Sequence, residues 1–220
     1  LMAPHGRDYW RRDGRAQEWT RMILETLDQA LRIAPGHPGA HHFRIHVLED
    51  SPHPQRALES AERLPALAPG LGHLVHMPTH VYFHLGRYAD ALAANERAIE
   101  ADRVLLQALG HDPAYAAGYA LHNHHFLWTA AMMSGRLEKA AASAAVLARH
   151  AESVPPGIRT PGGTLQLFAS LPLLTQVRFG QWERILREPP PRPSTAFTQG
   201  IRHFARAMAL ARTGRAAEAA

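Results

Sequence analysis

Thirty-four residues separate two stretches of this chain that carry the same pattern. Pro35 and Pro69 each close a helical segment and are each followed by glycine. His42 recurs as His76 and His46 as His80, again 34 positions on. A fixed period of this length means a helix–turn–helix unit used repeatedly, since one such unit cannot bury its apolar side alone and must stack on the next. Ala, Leu and Arg dominate the composition and β-branched residues are sparse, which favours helix over strand. A chain of 220 residues is long enough to bury a core.

Helix punctuation agrees. Residues 15–34 place Trp19, Ile23, Leu27 and Leu31 on one face, and Pro35-Gly36 ends the segment. Pro38 opens a second helix over about 38–50, and Pro54 a third over about 54–68. Residues 72–86 are read as a fourth helix, with Pro78 inside it, and 88–109 as a fifth. Pro78 removes a helix hydrogen bond, so it predicts a kink or a late start. Asp112 and Pro113 are expected to cap and open an extended helix running to about 134. Residues 154–163 and 189–193 are rich in proline, and the first also in glycine, and read as a loop and a helix-shortening stretch.

The segment Gly86-Arg87-Tyr88 with Ala91 and Ala98 resembles the G-x-Y-x-x-A…A signature of the tetratricopeptide repeat (TPR). Weaker copies start at Gly135, Gly180 and Gly214. That resemblance implies an all-α fold: a right-handed α-solenoid of TPR-like helical hairpins with insertions between repeats, one domain over 1–220, its end repeats cut short. It also implies a concave groove lined by the first helix of each repeat, at second, fifth, ninth and twelfth places. His42, His76 and His125 take fifth places, His46 and His80 ninth, His73 and His122 second, and Glu49 a twelfth. The boxes H-P-G-A-H-H-F-R-I-H (37–46), G-H-L-V-H-M-P-T-H (72–80) and H-N-H-H-F-L (122–127) look like a set found together in a bacterial group of TPR-like proteins. The likeness implies shared histidine boxes and no particular reaction.

The chemistry follows from the residue types. Imidazole is a good ligand for Fe, Cu and Zn, and an i, i+4 pair on a helix can bring two rings to one ion. His42/His46 and His76/His80 are such pairs, and His122/His125 adds a third helix. His73 joins them if the Pro78 kink allows it. Glu49 stands three residues after His46. It is the candidate catalytic base, a support behind the ligands, or the sign of a second ion. His41, His84 and His124 lie beside the row as hydrogen-bonding or surface residues. Among the aromatics, Tyr119 and Tyr82 are candidates for a pocket wall, while Phe83 and Trp128 read as core.

Other classes fit poorly. With no cysteine, thiolate ligands, disulfides and a Cys nucleophile are excluded. The motifs H-E-x-x-H and G-x-S-x-G and a phosphate loop are absent. The arginines are interleaved with acids, which predicts a solvated surface and no nucleic-acid partner. No apolar run reaches the roughly 20 residues needed to span a membrane, and no leader is visible, which favours a cytoplasmic setting for the chain as it stands. The reading is therefore a transition-metal-binding TPR-like protein, a metalloenzyme (oxidoreductase over hydrolase) if it turns over. A small molecule or peptide would be the ligand in the groove. The alternative is a peptide-binding TPR adaptor with no metal.

Overall fold

The computed structural model describes residues 2, 6–110, 115–155, 163–190 and 194–219. Among them the secondary structure is helical, with one isolated bridge between Trp10 and Ala16. The helices are α1 Glu18–Ile33, α2 Pro38–Leu48, α3 Leu58–Leu67, α4 Gly72–His76, α5 Pro78–His84, α6 Tyr88–Leu109, α7 Leu121–Met133, α8 Leu137–Ser153, α9 Thr164–Arg178, α10 Trp182–Arg187 and α11 Ala196–Arg212. A short 3₁₀ turn, Pro54–Ala57, leads into α3, and a π-helical turn, Ala116–Ala120, leads into α7. Asp112 and Pro113 lie outside the described residues, as do 156–162 and 191–193 of the two proline-rich stretches.

The fourth segment breaks where proline requires it. Met77 separates α4 from α5, and Pro78 takes the first position of α5, where its missing N–H costs nothing. The third helix starts late because Pro54 opens a 3₁₀ turn first. The stretch before 194 leaves α10 only six residues long.

The chain divides into two compact units, Leu1–Phe126 and Leu127–Ala220. In the first, Ile45, Leu48, Ala57, Ala61, Leu64, Met77 and Val81 form a fully buried cluster from α2, the 3₁₀ turn, α3, the α4–α5 link and α5. Burial of this apolar area is the main stabilising term for that unit. The irregular N-terminal segment packs on it: Trp10 donates its indole N–H to the Val47 carbonyl (2.6 Å), and Tyr9 is buried with Ile23 and Val47. This docking brings Arg7 to 3.6 Å from Glu49. In the second unit, Leu173, Ile185, Ala205 and Ala209 join α9, α10 and α11.

One turn recurs. Gly86, Gly135, Gly180 and Gly214 all have positive φ, between 67° and 79°. The N–H following each glycine bonds to the carbonyl five residues back, at 2.8–2.9 Å (Arg87 to Tyr82, Arg136 to Ala131, Gln181 to Gln176, Arg215 to Leu210). This is the Schellman helix end, which needs a left-handed residue that only glycine supplies without strain. Five residues after the first three of these glycines stand Ala91, Ala140 and Ile185, each buried.

Candidate metal centre

Three helical elements of the first unit carry the histidines described first. α2 supplies His42 and His46 one turn apart, and Glu49 caps its C-terminal end. α4 supplies His73 and His76, and α5 supplies His80. His122 comes from the first turn of α7.

The rings gather into two triplets, His42/His46/His73 and His76/His80/His122. In each, one nitrogen per ring lies within 4.8 Å of the others. The Nε2 atoms of His42 and His46 are 3.1 Å apart, those of His42 and His73 also 3.1 Å, and those of His76 and His80 3.0 Å. Two nitrogens held at 2.0–2.1 Å by one tetrahedral ion stand about 3.3 Å apart, close to what is found.

The proton positions make the second triplet decisive. Asn95, fully buried on α6, donates its amide N–H to Thr79 Oγ1 (3.0 Å) and to the Ala91 carbonyl (2.7 Å), which fixes its Oδ1 as an acceptor. His76 Nδ1–H donates to that oxygen at 2.8 Å. His80 Nδ1–H donates to Glu49 Oε2. Both rings therefore carry their proton on Nδ1, and their bare Nε2 lone pairs face each other. Nothing among the described residues stands between them, 3.0 Å apart. Such a pair repels unless a cation or a proton bridges it. A proton is disfavoured because burial pushes both rings' pKa down, His76 well below the ordinary value, with His80 next to it adding to the shift. Burial acts likewise on His122 and His42, both lowered to about 3, and on His73, lowered to about 4.

Glu49 ties the triplets together. Its Oε1 accepts from His46 Nδ1–H at 2.9 Å and its Oε2 accepts from His80. Burial pushes this carboxyl up, but the hydrogen bonds from His46 and His80 outweigh it and hold it well below the usual range. A ring that donates one N–H to a carboxylate or amide and points its other nitrogen at a shared centre is the usual arrangement of a metal-bound histidine. Around the second triplet, the Phe126 ring lies 4.5–4.8 Å from His122, His76 and His80. Tyr119 lies 4.6 Å from His73.

Six of the seven histidines singled out from the sequence thus come together, with His73 grouped with α2 rather than with its neighbour His76. His125, buried enough to lower its pKa, belongs to neither triplet. Glu49 stands behind the rings, with both oxygens engaged. His41 bonds Ser60 Oγ (3.0 Å) and the Pro35 carbonyl (2.9 Å), and His84 is exposed. Tyr82 lies beneath Arg87 instead of on the site. Sequence reasoning missed Asn95 and Phe126. Asn95 sits nineteen residues from His76, with no local signal beyond being a buried polar residue in a helix of mixed polarity.

No family model, curated protein or solved structure matches this chain.

Proposed function

We propose that the first unit is a dinuclear transition-metal centre, one ion in each histidine triplet, carried on TPR-like helical hairpins. The observation that carries it is the buried pair of bare Nε2 atoms of His76 and His80, 3.0 Å apart with both Nδ1 protons already committed. The four equivalent glycine turns and the 34-residue recurrence of the α2 and α4–α5 histidine pairs support the repeat reading.

Three imidazoles leave an ion one position open, which suits turnover better than storage. Redox chemistry is favoured over hydrolysis. A hydrolase needs a carboxylate free to take a proton from water, and Glu49 spends both oxygens on ring N–H groups. A metal-free adaptor would leave the facing lone pairs with no purpose.

Metal analysis of protein purified without an affinity tag tests the reading. About two equivalents of transition metal are expected, falling to about one in His76→Ala and His46→Ala. Less than about half an equivalent, unchanged by either substitution and not raised by added Fe(II), Cu(I) or Zn(II), would overturn it.

A further inference from the structure

We infer that the two ions are copper, and that the reduced pair binds dioxygen between them as a bridging peroxide. This rests on the dinuclear reading above and adds the metal and its reactant.

The donor set is the first ground. All six ligands are neutral imidazoles, and the chain has no cysteine. Among the described residues the one carboxylate touching the rings, Glu49, faces Nδ1 atoms and not the converging nitrogens. Among the described residues, the fixed charges acting on the triplets are therefore a negative one at Glu49 and a positive one at Arg7, 3.6 Å from it. Two divalent ions would place four positive charges against that one carboxylate. His76 and His80 are 0% and 6% exposed, so water offsets little of that excess at the second triplet. Two Cu(I) ions halve it. Copper also suits imidazole, and Cu(II) heads the affinity order of the divalent ions, so one ligand set holds both oxidation states. Dinuclear iron centres in helical proteins draw instead on several directly bound carboxylates, which these triplets lack.

The second ground is the pairing. The triplets are adjacent: His46 and His80 have ring centroids 5.5 Å apart, His73 and His76 6.1 Å. Glu49 holds one ring of each. Two open positions side by side accept a diatomic molecule end to end. Each Cu(I) gives up one electron and becomes Cu(II). Dioxygen takes both electrons, its O–O bond drops from double to single, and each ion gains a bond to oxygen. No proton or further reductant is required. Ions and dioxygen together carry two positive charges before the step and two after it. A buried site with little fixed charge can pass through such a step without acquiring a charge it cannot solvate. Phe126, packed on three of the rings, gives that side an apolar wall.

The test uses the full chain stripped of metal. Under anaerobic conditions Cu(I) is titrated against a Cu(I)-specific chelator, with Zn(II) and Fe(II) titrated separately, and the loaded protein is then given oxygen. Expected are about two bound Cu(I), one O2 consumed per copper pair, an intense near-ultraviolet charge-transfer band, and no Cu(II) resonance because the two spins couple. His76→Ala should hold about one copper, lose the band and show a Cu(II) resonance in air. His122→Gln, at a less buried ring, should do the same where His76→Ala fails to fold by circular dichroism. Firm binding of two Zn(II) or Fe(II), with Cu(I) held no more tightly than by these variants, overturns the copper assignment and leaves the metal centre standing. Binding of no ion overturns both. A bound Cu(I) pair that consumes no oxygen, or oxidises to uncoupled Cu(II) without the band, overturns the dioxygen step.

Discussion

Glu49 and Asn95 show how a single side chain sets what a ring can do. Each accepts the proton-bearing nitrogen of a histidine and so leaves the other nitrogen free for an ion. Glu49→Gln keeps the shape but offers one acceptor oxygen, and its NH2 confronts the second ring's N–H. Metal affinity should fall roughly 10–100-fold, more at one ion than at the other, by chelator competition. Equal, unchanged affinities at both would contradict the arrangement. Asn95→Ala removes the acceptor from His76 alone, so about the same loss is expected in the second triplet while the first keeps its affinity. Protonation belongs to this scale as well. His42, His122 and His73 are lowered from 6.5 to about 3, 3 and 4, first by burial and then by the neighbouring His46 and His80. Below pH 6.5 the unfolded chain therefore binds more protons than the folded one, and stability rises with pH through that window and levels above it. The urea midpoint of the metal-free chain should be flat above about pH 7 and fall steadily from 6.5 toward 4. Bound metal should raise the midpoint and carry the fall on below about pH 4 while its onset stays at about pH 6.5, where the unfolded histidines set it, and superimposable curves with and without metal would count against ligation by these rings.

At the scale of helices, the triplets are two copies of one device: an i, i+4 pair plus one histidine from a later helix. His125 is followed four residues on by Thr129, so no third i, i+4 histidine pair forms. The spacing between α4 and α6 is set at Gly72, where an added Cβ would collide with the Asp102 carboxylate and come within 2.6 Å of the Ala98 carbonyl. Asp102 is itself fixed there, accepting from Tyr115 Oη–H and from Asn123 Nδ2–H, both at 2.7 Å. Gly72→Ala should cost about 1–3 kcal/mol of stability as overpacking. Because His73 is the next residue, it should also weaken the first triplet more than the second. Thermal unfolding and chelator competition on one preparation read both effects, and a variant as stable as the parent would show that α4 is free to shift.

Across the whole molecule, binding energy should appear only where the ligands are. An ion at 100 times its dissociation constant stabilises the state that binds it by about 2.7 kcal/mol. Hydrogen exchange should slow in α2, α4, α5 and the start of α7 when metal is added, and stay unchanged in α8–α11. Uniform protection, or none, would not fit a centre confined to the first unit. Much of this was legible beforehand. Helix α6 runs Tyr88–Leu109 as punctuation requires, and Pro78 breaks its segment at Met77. The i, i+4 pairs were readable because helical periodicity alone puts such rings on one face. That His73 turns toward α2, that Glu49 spans His46 and His80, and that Asn95 backs His76 were not, because each depends on which helices lie side by side and on rotamers chosen within that packing. Sequence by itself determined a helical chain, its breaks and a set of imidazoles aligned on helix faces, since those follow from local backbone sterics and period. Only the tertiary structure decided that the imidazoles divide three and three, with the Nδ1 protons of His46, His76 and His80 turned outward onto Glu49 and Asn95 and their Nε2 atoms inward. That division is a matter of distances between residues up to 46 positions apart in the chain, from His76 to His122, which no local rule contains.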